Sequence, residues 1–590
     1  KKIDQLHKKI MRTKDLFYRF VMFCLVYVAV QGQESESIGT QEVLVVKSYT
    51  PSLSDAFKIN SSPVSPDSLL TKDKVLEFKI KSVPVVSTFV PNKATPLKLQ
   101  RRSSRTPYNT LFSGGFGIKS QLFLDVSSVI ELDRTQRFGL KIYRDGFGGD
   151  LPNTILKSNQ QFSRFGVHHN LRSNDYNANT LLQFATTKNN YFGLYDRDWD
   201  NLLILGVDPA IKRSVFKIRT HWNWYDFVVR AIEFQANLTT DNFDTSEQQL
   251  SLKADFEIEL GDGKITATTE VKGLSTLFRE SFFGRELQEE QIGVGSLGVH
   301  WQNTSSDFKL KLGAGMAYSS KMDGFSSEVL YYPEIDLSYQ KKGRVMVPYL
   351  KAMGGVKMNS YQSLYSVNPY LAPTTTLNPT FSKYNASLGV RSSLSSILNF
   401  NFGVVYDQIE NFMLFERLPF DGSNNNDSYR LSNSYENKYT NLDLYGFKAT
   451  IRIDLAKNNF VRFGTKYSYF NTNSTQQLWN VPSLEMNWEG QFNWKDNLTF
   501  TFQGSLLGDR IAAYRPIFLN QQVDNVQFQE ENVPLFVSTT SHVAYKLSDQ
   551  FDVFVKLKLN SVGPHGRWLY YNEPSFLLLA GVTYKFDFQY

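Results

Sequence analysis

The feature that most constrains this chain is a strict alternation of apolar and polar residues that recurs over almost 500 positions. In Leu252-Lys253-Ala254-Asp255-Phe256-Glu257-Ile258-Glu259-Leu260 every even position is apolar and every odd one is charged. Val461, Phe463, Thr465, Tyr467 and Tyr469 alternate in the same way with Arg462, Gly464, Lys466 and Ser468. Phe551, Val553, Val555, Leu557 and Leu559 alternate with residues such as Asp552, Lys556 and Lys558. Side chains with period two point alternately to the two faces of a sheet, so this is a chain of strands with one greasy and one wet face. No stretch with helical period reaches comparable length.

The connections carry a second regularity. Tight turns are predicted near 133–136, 188–190, 261–263, 305–307, 341–343, 457–459, 495–497 and 548–550. Long polar segments at 145–160, 273–290, 356–382, 417–442, 508–534 and 561–576 lie between them. Short turns on one rim and long loops on the other characterise outer-membrane barrels, with the short turns periplasmic and the long loops extracellular. Composition agrees: 46 Phe and 31 Tyr accompany a negative mean hydropathy, as expected where one face meets lipid and the other water. The expected fold is therefore all-β, a transmembrane antiparallel β-barrel in the cell outer membrane, opening near Phe112–Lys119. Hairpin counting gives about 22 strands, or 14 to 20 if some loop segments are strand extensions. A lumen that wide calls for a plug or a partner.

The two ends read differently from the middle. Residues 1–32 have the signal-peptide pattern: a basic segment, the apolar run Val21–Val30, then Gln31 and Gly32, with Met11 as the expected start and cleavage after Gly32. That run is shorter than the roughly 20 residues a spanning helix needs. The first 32 residues hold seven basic and two acidic side chains, so +5 of the formal +7 leaves with them and the remainder sits near +2. A balance of that size gives no case for a nucleic-acid partner. Cys24 is the only cysteine, and removing it removes disulfides, thiolate metal sites and a thiol nucleophile. Residues 33–108 are punctuated by Pro51, Pro63, Pro66, Pro84, Pro91 and Pro96, and are expected to be a periplasmic or lumen-inserted segment, with 109–590 as the barrel. At the other end, Val582, Tyr584, Phe586, Phe588 and Tyr590 alternate with Thr583, Lys585, Asp587 and Gln589. This resembles the C-terminal signal by which outer-membrane barrels are recognised for insertion.

A family resemblance follows from short motifs. Gln41-Glu42-Val43-Leu44-Val45-Val46 resembles the energy-coupling (TonB) box of TonB-dependent receptors. Lys47–Ile59, and then Gly114-Gly115-Phe116-Gly117 with Gln121–Val126, resemble the linker and opening strands of a TonB-dependent receptor-like group of Bacteroidota. The resemblance implies solute transport across the outer membrane with TonB as a partner. Such receptors carry a globular plug before the barrel, and the 76 residues of 33–108 are too few and too Pro-rich for a complete one. This departure keeps a second reading open: a non-catalytic structural subunit of an outer-membrane protein complex, with a periplasmic or surface lipoprotein as partner.

Chemistry is sparse. His168 and His169 are adjacent in a strand-like run and face opposite sides, so they cannot share a metal. No spacing identifies a Ser/His or Asp/His catalytic arrangement, and no enzyme activity, cofactor or metal is expected. Asp421-Gly422-Ser423-Asn424-Asn425-Asn426-Asp427 offers oxygen donors of the kind calcium takes but lacks a closing Glu, and a solvated loop is its ordinary reading. Trp568, Tyr570 and Tyr571 are expected in the aromatic girdle at the lipid boundary, with contact to a ligand or partner as the alternative. The polar face mixes both signs, as in Lys253, Asp255, Glu257, Glu259, Arg452, Asp454, Lys556 and Lys558, and suits a hydrated or plugged lumen.

Overall fold

A computed structural model of the chain describes residues 108–590, apart from 195–203, 281, 283–287, 305–306, 322–328, 342–344, 394–396, 422–426, 473–476, 496, 516–528, 564 and 589–590. In chain order the strands are β1 Thr110–Gly117, β2 Gln121–Glu131, β3 Gln136–Phe147, β4 Gln160–Arg172, β5 Tyr176–Asn190, β6 Ala210–Trp224, β7 Val229–Asp241 and β8 Ser246–Leu260. They continue as β9 Gly263–Phe278, β10 Gln288–Thr304, β11 Phe308–Ser319, β12 Val329–Tyr339, β13 Met346–Lys357, β14 Thr380–Ser393, β15 Leu398–Arg417 and β16 Tyr435–Ala456. The last are β17 Asn459–Thr472, β18 Leu484–Trp494, β19 Leu498–Leu507, β20 Arg510–Tyr514, β21 Gln529–Val533, β22 Phe536–Lys546, β23 Phe551–Asn560 and β24 Phe576–Phe586. Twenty-two of them form one antiparallel sheet, while β20 and β21 make a separate two-stranded ribbon inside the β19–β22 connection.

The sheet closes on itself. β1 pairs with β2 on one side and β24 on the other, so that Gly114 faces both Leu124 and Val582. Beyond the paired residues, Asn109 N donates to Asp587 Oδ1 at 3.0 Å, Asn109 Nδ2 donates to Phe588 O at 2.9 Å and Phe588 N donates to Asn109 Oδ1 at 2.7 Å. Closure leaves no open edge, which a sheet crossing hydrocarbon requires because lipid offers no partner to an edge N–H or C=O.

Side-chain alternation sorts the wall into two faces. Leu250, Leu252, Ile258 and Leu260 of β8 are exposed on the outside, whereas Lys253 and Asp255 face the lumen and pair at 3.5 Å. On β11, Phe308, Leu312, Met316 and Tyr318 all point outward. Phe308 and Tyr318 lie ten residues apart. At ~3.3 Å per residue and a tilt of ~40° that spacing spans ~25 Å, the height of a lipid-facing band. Tyr225, Phe227, Trp494, Tyr545 and Phe551 join Phe308 at the short-turn end, while Phe116, Tyr331, Tyr384 and Tyr469 join Tyr318 at the other, making two aromatic girdles.

The short-turn rim is as expected with one correction, while at the other rim the β1–β2 (118–120) and β7–β8 (242–245) connections are short as well. Lys188, Asn189 and Asn190 end β5 at the start of a long connection, 191–209, and are not a tight turn. The tight turns flanking that hairpin are 173–175 and 225–228. Where signals exist they act as expected: Gly261 takes φ 57° and Asn458 φ 64°, the left-handed region that such residues enter at least cost. Among the described residues, the connections at the opposite rim also include 320–321 leading to β12 and 477–483 leading to β18.

Adjacent residues on β7 give a clean test of face assignment. Phe234→Arg, on the lipid side near mid-height, should destabilise the inserted barrel by roughly 2–4 kcal/mol, whereas Gln235→Arg, on the lumen side, should change it little. Reversible denaturant unfolding in vesicles reads both; equal costs would refute the assignment.

A capped mouth as the candidate functional site

The long connections do not stand apart as separate loops. Parts of six of them meet in one hydrophobic core at the long-loop rim, with Leu151 and Leu156 from β3–β4, Tyr191 and Phe192 from β5–β6 and Phe282 from β9–β10. The β13–β14 connection adds Tyr361, Leu364 and Tyr370, the β15–β16 connection adds Leu418 and Tyr429, and β23–β24 adds Trp568 and Tyr571. Because these connections leave the barrel wall all round its circumference, a core they share spans the mouth. β15 and β16, at 20 and 22 residues, are twice the roughly 10 residues needed to cross a bilayer, and their extra length carries the wall up to this cap.

The centre of the cap is the β13–β14 connection, which contains a short helix, α1 (Tyr361–Val367). Ser360 caps it through a reciprocal capping box with Ser363. Glu247 of β8, itself holding the Thr276 hydroxyl at 3.0 Å, accepts the backbone N–H of Gln362 at 3.0 Å and that of Tyr361. A carboxylate at the first turn also complements the helix dipole. Two buried arginines then fasten the cap to the wall. Arg213 of β6 donates from Nε to the Tyr361 hydroxyl at 3.0 Å, and from its two terminal nitrogens to Pro369 O and Leu371 O at 2.7 Å each. The Tyr361 hydroxyl donates in turn to Asp241 Oδ2 at 2.8 Å. Arg417, at the end of β15, donates to Ser432 O, Leu569 O and Gly193 O, tying three connections with one guanidinium. Each of these arginines is 1% exposed.

The aromatic side chains complete the closure. Tyr370 and Tyr571 stack with centroids 3.4 Å apart, and the Tyr571 hydroxyl donates to Asn433 O. Asn433 in turn donates to Tyr191 O at 2.6 Å. Gly193 is obligatory here, since a Cβ would meet the Tyr571 ring at 2.5 Å. Burial pushes the phenols of Tyr361, Tyr370 and Tyr571 far above their ordinary range, so each stays neutral. Beneath the cap the lumen wall is laced with ion pairs, including Arg219–Glu233, Lys264–Glu257, Lys311–Glu334 and Lys556–Asp145.

Several sequence expectations are placed or corrected by this geometry. Val582, Tyr584 and Phe586 lie on β24, on the face that meets Phe112 of β1; Phe588 follows the strand, and Tyr590 lies outside the described residues, as do Gln41–Val46 and everything before Tyr108. Trp568 and Tyr571 are not girdle residues. They are 6% and 1% exposed inside the cap because the connection bearing them turns inward onto Phe415 and Tyr435. Tyr570, half-buried, lies against Arg417 at 4.9 Å. The oxygen-rich segment 421–427 spends both terminal carboxylates on Arg430, at 2.9 Å for Asp427. His168 and His169 do face opposite ways, His169 stacking on Phe138 at 4.4 Å. Among the described residues no cluster of three His, Cys, Asp or Glu could hold a metal. Arg213 and Arg417 escaped sequence reading, because each continues the alternation of its strand; the over-length of β15 and β16 was the one available hint.

Replacing Arg417 by Met keeps volume but strands three buried carbonyls, so the cap should lose ~3 kcal/mol or more. The expected outcome is faster proteolysis within 418–434 and a larger single-channel conductance in planar bilayers. Unchanged proteolysis and conductance would show that the mouth is closed by something else.

No family model matches the sequence, and no curated protein is matched by it. Solved structures are similar in fold. The FrpB iron transporter from Neisseria meningitidis (F3-3 variant) aligns with a TM-score of 0.56 at 10% identity, covering 82% of each chain. A mutant of the ferric enterobactin receptor PfeA from Pseudomonas aeruginosa aligns at 0.55 and 13% identity, over 81% of this chain and 80% of that one. The copper transporter OprC aligns at 0.53 and 10% identity, over 81% and 82%. What is shared at such identity is the closed 22-strand barrel, and with its apolar band and two girdles this chain is an integral outer-membrane β-barrel.

Proposed function

We propose that this barrel is a TonB-dependent receptor-like transporter that moves a solute across the outer membrane, with its capped rim outside and its short turns in the periplasm. The observation that carries this reading is a closed 22-strand wall, lined by paired charges, in the architecture of proteins named as an iron transporter, a ferric enterobactin receptor and a copper transporter. A lumen of that width lined with both signs of charge holds water, and a mouth built from connections can open where a strand wall cannot. Energy would enter through Gln41–Val46, docking as a strand on TonB, with 33–108 as the periplasmic or lumen-inserted segment that carries it. Val582, Tyr584, Phe586, Phe588 and Tyr590 would direct insertion.

A second reading has its own support. The cap is packed like a domain core and bolted by two buried guanidinium groups, which suits a permanently closed mouth. On that reading the barrel is a structural subunit whose outer surface holds a lipoprotein partner.

Deleting Gln41–Val46 separates the two. Loss of uptake of a medium component, measured by mass spectrometry of spent medium against a strain lacking the protein, is expected for a TonB-coupled transporter. Unchanged uptake, together with a stoichiometric partner in mild-detergent purification, would sink transport in favour of the structural subunit.

A further inference from the structure

A cavity of about 220 Å³ lies at the long-loop rim between β15, β17, β20 and the β23–β24 connection. Five aromatic side chains wall it: Phe412, Phe415, Phe470, Trp479 and Trp568. Its polar lining is unusual in what it leaves unmade. Arg510 is 3% exposed, and its Nε and Nη2 have no acceptor among the described residues. Trp568 is 6% exposed, and its indole Nε1 has none either. Arg567, exposed at the same cavity, makes no ion pair among the described residues. Lys466 and Glu485 also line it but neutralise one another at 2.9 Å.

A buried guanidinium without a counter-ion is among the most unfavourable arrangements a protein can hold, and native structures keep buried donors satisfied. Arg213 and Arg417 obey that rule in the same cap, each with three acceptors. Arg510 breaks it, beside a second arginine and an unpaired indole N–H. Burial and the neighbouring Arg567 bring its pKa down to about 10, so it remains a cation at neutral pH. The missing component is an anion with oxygen acceptors. Its body must suit aromatic walls, and its size is bounded: a cavity of ~150 Å³ takes one benzene ring, so 220 Å³ admits one ring and a small charged group.

We propose that this cavity binds a single-ring aromatic carboxylate, with the carboxylate on Arg510 and the Trp568 N–H, Arg567 closing the entrance, and the ring against Phe415, Phe470 and Trp479. Asn480 Oδ1, also without a donor, can accept from a ring hydroxyl. The site does not depend on whether the barrel passes a solute, and binding is read separately from uptake.

The test uses the full chain in neutral detergent with benzoate as probe, followed by calorimetry and tryptophan fluorescence. Saturable one-to-one binding with a Kd of about 1 mM or tighter is expected, with quenching and a rise in melting temperature. Benzamide and acetate should each bind at least about tenfold more weakly, the first lacking charge and the second the ring. Arg510→Gln should weaken benzoate about tenfold or more, and Arg567→Gln by less. No saturable benzoate binding, equal binding of benzamide, or inorganic phosphate binding as tightly as benzoate would overturn the proposal. Should Arg510→Gln fail to fold, Arg567→Gln and the benzamide comparison still decide it, and unchanged affinity in both counts against the site.

Discussion

Everything in this structure depends on one constraint: inside hydrocarbon, each backbone N–H and C=O must be paired by the protein itself. The alternation at Leu252–Leu260 makes a strand that is apolar on one face, but a strand in lipid is tolerable only if both of its edges are taken. The pairing of β1 with β24, residues more than 460 apart in sequence, removes the last two edges. The clasp at Asn109, Asp587 and Phe588 extends that pairing beyond the strands, where the backbone would otherwise fray into the interface.

Closing 22 strands has a geometric consequence. The lumen becomes too wide for inward side chains to meet across it, so the wall cannot have the packed interior of an eight-stranded barrel. The densest packing therefore moves to the rim, where connections rather than strands supply the core. Irregular backbone in a buried place needs partners for its carbonyls, and arginine, with five donors on a rigid fork, satisfies several at once. Arg417 collects carbonyls from three connections, and Arg213 holds two carbonyls and a phenol. These charges are retained because they organise backbone that strands would have organised elsewhere.

The same logic explains what could be read from sequence. Strand identity was legible because period two is local: Leu252 to Leu260, the turn at Gly261, and the closing Val582–Phe586 each declare themselves within ten residues. Strand number was legible through turn parity even though Lys188–Asn190 was misplaced, since a missed turn on one hairpin does not change the alternation of the next. The cap was not legible. Its bonds join Arg417 to Leu569 and Gly193 across 152 and 224 residues, and Gln160 to Tyr370 across 210. Nothing in the neighbourhood of Trp568 or Tyr571 distinguishes a residue that meets lipid from one that turns inward, because both environments are apolar.

Electrostatics draws a further line between wall and rim. Many lumen charges are matched, across adjacent strands as in Arg462 with Glu489 and Lys351 with Asp336 or along one strand as in Lys253 with Asp255, so the fields of these pairs largely cancel over a few ångströms. Cross-strand pairing of this kind is what register provides without extra design, because opposite partners are held ~5 Å apart. Arg510 starts β20 opposite the apolar Val533 of β21, and Arg567 lies in the β23–β24 connection, so register supplies neither with an opposite charge, and at their cavity the neighbouring Lys466–Glu485 pair is already complete. An excess of positive charge is thereby concentrated beside aromatic walls that exclude water and strengthen its attraction for an anion. Both wall and rim hold ion pairs, but it is at this rim cavity that an uncompensated guanidinium meets aromatic walls, so recognition of an anion there rests on the ribbon and connections that line it.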